Sequence, residues 1–539
     1  MSENLPAPEE PRIEKPSAWA PLRLPTFRML WTVWLASNIC MWMNDVAAAW
    51  QMTQLTTSPT LIALVQTASS LPVFLLGLGS GALADIVDRR RYFMVTQFWI
   101  AITAAVLFGV AVSGQMTAPL LLVLVFANGI GLAMRWPVYA AVLPEVVPRA
   151  QLGEALALNA VAVNTSRVLG PLIAGVLIAY AGTEYVFALN CLVSILAGIV
   201  LFYWKREAKP SVLPGERFLG AMRLGFLYVR ESQGMKNALV RIAAFFLHST
   251  AVFALMPLVA QRLGGDGGAQ TYTLLLAAMG VGAVAMATQL PRLRMRFSRD
   301  RVAGMGSAVT GVAIFALAFA PNAWTAAAAM FVGGAAWILV ANSVTIAAQL
   351  SLPDWIRARG MSIYQMAIMG ATAIGAVIWG KLAELTDVPT SLAVGGVSMV
   401  VVTFLTRRAT LEHTADLTPT HPFDEPVPAL PIELDDGPVM VTIEYLVEPA
   451  RRGEFETIMA ESRSARLRAG AVSWGLFEDI ERPARFVEYF ACDSWADYLR
   501  RFDRFTAADE ELHARRHAFH IAESPPRISR FIARHPPAR

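Results

Sequence analysis

Of the 539 residues, 55% are hydrophobic and only 16% charged, and a mean hydropathy of +0.47 excludes an ordinary soluble globular chain. The net charge of +4 is no pointer to nucleic acid, because in so apolar a chain the position of the basic residues says more than their sum. Cys40, Cys191 and Cys492 lie far apart without metal-type spacing, which suggests neither a disulfide framework nor a zinc site.

Residues 1–28 form a proline-rich arm of mixed charge with no apolar stretch, so no cleavable signal peptide is expected and the N-terminus should stay in the cytoplasm. Beyond it, apolar runs of roughly 20 residues, each long enough for a ~30 Å hydrocarbon core, recur between charged or Gly/Pro-marked turns. They predict twelve spans near 29–54, 60–83, 92–112, 117–143, 154–180, 184–204, 238–261, 270–291, 302–320, 324–350, 361–384 and 389–406. Connections after spans 2, 4, 6, 8 and 10 hold Arg89-Arg90-Arg91, Arg149, KREAKPSVLPGERFLGAMRLGFLYVRESQGMK, PRLRMRFSRDR and DWIRAR, whereas the others carry almost no unpaired positive charge. The positive-inside rule then predicts a multi-pass protein of the inner (plasma) membrane with both termini cytoplasmic.

The long connection divides the spans six and six, giving an N-terminal half (29–204), a linker (205–237) and a C-terminal half (238–408). Its amphipathic stretch GERFLGAMRLGFLYVRESQ is expected to lie on the cytoplasmic membrane surface. Two joined six-helix halves imply a pseudo-symmetric transporter with a substrate site between them; a twelve-helix channel is the rival.

Ionisable groups inside a bilayer are expensive and are functional candidates by default. Asp45 lies about 16 residues into span 1 and Arg167 about 13 into span 5, roughly 24 and 20 Å from the cytoplasmic end. A buried acid beside an arginine can be ionised when paired and protonated when the pair opens, coupling proton entry to helix movement. A permanent ion pair holding the first half together is the alternative. Arg135 in span 4 is a second candidate partner, for Asp45 or for an anionic substrate, and His248 in span 7 suits either proton traffic or a polar interhelical contact. In span 5, Gly170-Pro171-x-x-x-Gly175 combines a helix-kinking proline with glycines that allow close packing.

Gly81-x-Leu83-Ala84-Asp85-x-x-x-Arg89-Arg90, between spans 2 and 3, resembles the signature loop of the major facilitator superfamily, except that Ile86 and Asp88 replace its usual basic residue and glycine. FRMLW (27–31), MWMNDVAAAW (41–50), NTSRVLGPLIAG (164–175) and LPDWIRARGMSIYQ (352–365) resemble the branch of siderophore and drug exporters of the enterobactin-exporter type. The glycine–proline stretch in span 5 resembles a motif of the superfamily's exporters. The resemblance implies a cytoplasmic latch in which Asp85 and Arg89 meet the start of span 11 near Arg357 and Arg359. Asp88 is a candidate N-cap for span 3. The resemblance also makes spans 1, 7 and 10 line the pathway, with Trp42, Met43, Phe245, Phe246, Phe253, Met256, Trp337, Asn342 and Gln349 as cavity candidates. Such a lining suits bulky amphipathic compounds.

Residues 409–437 read as an extended Pro/acidic linker, and 438–539 as a separate cytoplasmic domain of β-α-β-β-α order, with one helix expected over SWADYLRRFDRFTAADEELHARRHAFH. This order resembles the ferredoxin-like dimeric α+β barrel of antibiotic-biosynthesis monooxygenases, which implies a homodimer through the tail. His513, His517 and His520 lie among arginines and read as a solvated helix face. No nucleotide loop, metal-ligand spacing or nucleophile constellation appears, so no enzyme, cofactor or metal is expected.

The fold class expected is thus an all-α membrane protein of twelve transmembrane helices in two six-helix halves, plus a small C-terminal α+β ferredoxin-like domain. Its expected partners are a small-molecule substrate, protons and the lipid bilayer, with no nucleic acid. The expected function is proton-coupled export of amphipathic small molecules; a membrane-anchored sensor or enzyme working through the tail and a metabolite importer are the alternatives.

Overall fold

Prolines and short polar caps set where the long helices begin. Pro25 opens α1 (Pro25–Leu55), Ser58 caps α2 (Pro59–Ile86) by accepting from Leu61 N, and Asp88 caps α3 (Arg89–Val112) by accepting from Arg91 N at 2.8 Å. Then follow α4 (Ala118–Val146), α5 (Leu152–Tyr180), α6 (Thr183–Tyr203), the short α7 (Phe218–Glu231) and α8 (Gln233–Gly264). The series ends with α9 (Gly268–Arg296), α10 (Arg299–Ala318), α11 (Ala323–Leu350), α12 (Asp354–Leu385) and α13 (Val388–Leu405). This computed structural model describes residues 17, 19–148, 151–205, 218–412, 415–423 and 425–534, with backbone alone at 78, 82, 84–86, 144, 218, 219, 221 and 266. Among the described residues, eleven helices are long and apolar enough to cross a membrane; α1 is as long, but carries Asn38, Asn44, Asp45 and Gln51.

Helices α1–α6 pack on one another, as do α8–α13, and the two groups meet along α2 against α12 and α5 against α9. On the face away from α7 the groups are tied together. Trp50 stacks on Tyr272 with ring centroids 5.4 Å apart, Gln261 Nε2 donates to the Thr53 carbonyl at 3.5 Å, and Thr60 Oγ1 donates to Glu384 at 2.5 Å.

The amphipathic α7 does not lie bare as the sequence leads one to expect. Leu224, Tyr228 and Val229 join the apolar core of the helix groups, and Tyr228 Oη donates to the Ser351 carbonyl at 3.3 Å. Leu227 faces the other way, into the core of the C-terminal region. The helix is apolar on two sides because protein covers both, so its pattern imitates a membrane-surface helix.

The C-terminal region is built on a four-stranded antiparallel sheet: β1 (Val439–Leu446), β2 (Ser473–Glu478), β3 (Arg485–Cys492) and β4 (Arg527–Ile532), in the order β2-β3-β1-β4. Val439, Val441, Ile443 and Tyr445 alternate inward on β1 and pack with Phe455, Ile458 and Met459 of α14 (Arg452–Arg468). The single helix expected after β3 is two, α15 (Trp495–Asp503) and α16 (Ala507–His517). The break is local chemistry: Thr506 and Asp509 form a capping box that starts a new helix. Strand β4 is absent from the sequence reading because, as an exposed edge strand with two arginines, it lacks the apolar alternation of a half-buried strand.

Candidate functional site

A cavity of about 150 Å³ lies between the two helix groups. The first group supplies its charges, Asp45 from α1 and Arg167 from α5, with Gln66, Ser69 and Ser70 from α2. The second supplies aromatic rings: Phe246 and Phe253 from α8, Tyr272 from α9 and Trp337 from α11. Pro171 lies in the wall of the cavity, inside α5.

Asp45 and Arg167 share this space, but among the described residues no ion pair joins them. Asp45 Oδ1 accepts from Ser69 Oγ at 2.9 Å. The Arg167 guanidinium instead lies 4.4 Å from the ring centroid of Trp337 and 5.6 Å from that of Trp42, one ring from each helix group. A desolvated guanidinium over an indole face gains on the order of 2 kcal/mol. Arg167 Nε and the indole N–H groups of Trp42 and Trp337 are buried without a hydrogen-bond partner among the described residues. The site therefore offers donors to an acceptor-bearing guest.

The glycine–proline stretch sets the spacing of α5. A Cβ on Gly170 would lie 2.5 Å from Cβ of Trp42, and one on Gly175 would lie 2.8 Å from Thr273 Oγ1 of α9. Side chains at these two positions would push α5 away from α1 and from α9.

Other expected residues lie elsewhere. Arg135 is fully buried inside the first group, where Nη1 donates to the Ser37 carbonyl at 3.2 Å and the guanidinium lies 5.5 Å from Trp34, so it is no partner of Asp45. His248 bonds the Ala244 carbonyl through Nδ1 at 2.7 Å and packs against Trp379, outside the cavity lining. Met43 is core, because one residue on from Trp42 turns the side chain about 100° around the helix. Asn342, a turn and a half beyond Trp337, accepts from Arg294 near the end of α9. Phe245 is buried against Phe246, and Gln349 does not line the cavity.

At the α7 face, Arg89 Nη1 donates to Glu145 at 2.6 Å and to the Ala141 carbonyl at 2.9 Å, both on α4. Arg90 reaches the Leu201 and Phe202 carbonyls at the end of α6. Gly81 lies on α2 beside Pro137. The side chain of Asp85 lies outside the described residues, as does Arg149. Arg357 pairs with Asp354 at 2.6 Å on the first turn of α12, and the stem of Arg359 lies beside Gly225 of α7.

Sequence reasoning missed Gln66, Ser69 and Ser70. Their i, i+3, i+4 spacing puts a polar stripe on one face of an otherwise apolar helix, and that pattern was available as a signal. Tyr272 carried no such mark.

The C-terminal region holds a second cavity, of about 420 Å³, which the sequence did not announce. His513 and His517, expected on a solvated face, are in its wall, because the separate start of α16 turns that face toward the sheet. Burial, helped by Arg516 and His517, holds His513 down at about 3, so the ring is neutral and accepts from Arg516 Nη2 at 2.8 Å. His520 is spent structurally, accepting from Leu446 N at 3.0 Å. Among the described residues no three His, Cys, Asp or Glu side chains gather as metal ligands.

The arrangement of helix groups around a central cavity is the fold of major facilitator transporters. A nucleoside transporter structure, NupG, superimposes with a TM-score of 0.58 at 13% identity, covering 71% of this chain and 99% of that one. A bacterial homologue of the lysosomal transporter Spinster, inward-facing and occupied, gives a TM-score of 0.55 at 14% identity over 72% and 96% of the two chains. The chain belongs to the transmembrane secretion effector family of this superfamily, which it matches over residues 16–537. It is thus a multi-pass membrane transport protein, and its family is one of transporters, not enzymes. An uncharacterized MFS-type transporter, YfiS of Bacillus subtilis, is 25% identical over 66% of this chain and 85% of its own length. The staphyloferrin A transporter of Staphylococcus aureus is 20% identical over 68% and 91%, and macrolide efflux protein A of Streptococcus pyogenes is 23% identical over 43% and 58%.

Proposed function

We propose that this protein is a proton-coupled exporter that moves amphipathic small molecules across the plasma membrane by alternating access between two six-helix halves, with both termini in the cytoplasm. The observation that carries this reading is the central cavity, where Asp45 and Arg167 from one half face aromatic rings from the other. A guest with an apolar body and acceptor oxygens matches the unpartnered donors of Arg167, Trp42 and Trp337. Export is supported by a relative named macrolide efflux protein A, and transport of a small molecule by one named staphyloferrin A transporter.

Asp45 is the carboxyl we assign to proton coupling. It faces the cavity, and its hydrogen bond to Ser69 joins α1 to α2, the helix that runs along α12 of the other half. Protonation would remove the acceptor charge from that contact while leaving Arg167 on its tryptophans, so proton and substrate can be exchanged at separate points of one cavity. The latch reading of Asp85, Arg89, Arg357 and Arg359 belongs to the same proposal. So does the assignment of the C-terminal region as a ferredoxin-like module able to pair with a second copy; its strand order β2-β3-β1-β4 supports that assignment.

The test is ΔpH-driven accumulation of candidate compounds in inverted membrane vesicles. Asp45→Asn should abolish accumulation driven by ΔpH while substrate binding persists. Wild-type rates in that variant would sink the coupling role, and uptake in the opposite direction would sink export.

A further inference from the structure

The cavity of the C-terminal region has more positive charge than its own structure uses. Arg466, Arg501, Arg516 and Arg530 all line it. Glu488, the carboxylate that Arg466 and Arg516 meet, is fully buried and already filled. It accepts from Ser462 Oγ (3.3 Å), Arg466 Nε (3.0 Å), Trp474 Nε1 (3.0 Å) and Tyr445 Oη (3.2 Å), which takes up its lone pairs. Arg516, only 4% exposed, uses Nη1 on Ser462 and Nη2 on His513, and its Nε has no partner among the described residues.

Arg501 and Arg530 meet no carboxylate among the described residues. Arg501 touches Cys492 Sγ at 3.8 Å and lies 3.9 Å from the ring centroid of Phe490, and its Nε is buried without a partner among the described residues. Arg530 Nε donates to Tyr498 Oη at 2.7 Å. A buried guanidinium left without an anion, as at Arg501, is costly, and a fold keeps it where a ligand supplies the missing charge; Arg530, exposed on edge strand β4, adds a second positive group to the lining. The remaining walls are flat and apolar: Phe423, Phe490, Phe505, Val441 and Ile443. Phe423 comes from the linker after α13; its ring lies across Phe505 and His513, and Thr420 N ties the same linker to the Phe505 carbonyl at 3.0 Å.

We propose that this cavity binds a small organic anion with a flat, aromatic body, its carboxylate held by Arg501 and Arg530 and its ring received among Phe423, Phe490 and Phe505. This site is separate from the transport cavity, and its occupant need not be the transported compound.

The test is calorimetric titration of the full-length protein with 2-naphthoate, beside its neutral counterpart 2-naphthamide and inorganic phosphate. Binding of 2-naphthoate is expected, with 2-naphthamide and phosphate each at least about tenfold weaker, the scale of a lost charge-assisted contact. Arg501→Gln should weaken 2-naphthoate about tenfold or more. Arg530→Gln, on the exposed edge strand and away from Glu488, should do the same without touching the core should Arg501→Gln fail to fold. Trp337→Ala, in the membrane cavity, should leave the titration unchanged. The proposal is overturned by absence of 2-naphthoate binding at millimolar concentration, by equal affinity for the amide, by indifference to both arginine variants, or by loss that follows Trp337→Ala.

Discussion

Arg167 in the membrane cavity and Arg516 in the C-terminal cavity are both arginines removed from bulk water, yet they are held by different means. Arg167 lies on two tryptophan faces contributed by opposite helix groups, with Asp45 in the same cavity but bonded to Ser69. Arg516 closes with Arg466 on Glu488 inside one folded unit. A π-face attracts a cation without satisfying its N–H groups or cancelling its charge, so Arg167 stays available to a guest and to a change in the distance between the groups. A saturated carboxylate fixes geometry instead. The first arrangement suits a moving site, and the second holds a static scaffold around a cavity.

The largest effect is expected at Glu488. Glu488→Gln leaves Arg466 and Arg516 uncompensated and should cost the C-terminal region about 3–5 kcal/mol, seen as early unfolding or protease cleavage there while the helix groups persist. The same pair predicts acid lability. Burial alone would raise the Glu488 carboxyl, but Arg466 and Arg516 outweigh it and hold the group at about 2, below its ordinary value of 4.5. A depressed folded pKa means that the unfolded chain binds more protons in this window. Stability supplied by Glu488 is therefore complete above roughly pH 4.5 and lost as pH falls toward about 2, which acid unfolding monitored on wild type and Glu488→Gln should separate.

A smaller effect is expected in the membrane cavity. Trp337→Ala removes one face from Arg167 and should weaken substrate handling roughly 5- to 30-fold, the equivalent of about 1–2 kcal/mol, while Trp337→Phe retains most of it. Equal loss in both variants would show that the indole N–H, not the face, matters. The smallest effect belongs to Arg89→Ala: its pair with Glu145 is partly exposed, at 24% and 21%, so its loss should cost on the order of 1 kcal/mol and shift thermal stability only modestly. A transport defect without a stability defect would then point to the latch.

Much of the membrane cavity was readable from the chain. Asp45 and Arg167 stand out as charges at similar depth in apolar runs, and Trp42, Phe246 and Trp337 as aromatics on spans that the family resemblance puts along the pathway; all five line it. Depth, however, is only one coordinate. Arg135 and Met43 were misjudged because the direction around the helix axis is set by neighbours that a single span does not reveal. For His248 the sequence offers two uses, and its packing against Trp379 accounts for it as an interhelical contact. In the C-terminal region the helices and the first three strands followed apolar periodicity, but the second cavity was not legible. Its walls come from a linker, three helices and three strands, and only tertiary structure brings Phe423 against His513 or Arg501 against Phe490.

Helix α7 has a mechanical consequence. One side belongs to the helix groups through Tyr228, and the other meets the sheet region, where Glu231 accepts from Ser464 Oγ at 3.0 Å and Arg463 lies 3.8 Å away. Arg504 adds a second anchor, 4.6 Å from the ring centroid of Trp355 on the first turn of α12. The C-terminal region is therefore seated cargo, not a pendant on a string: cutting the chain near residue 427 would sever the covalent connection and leave both docking contacts in place.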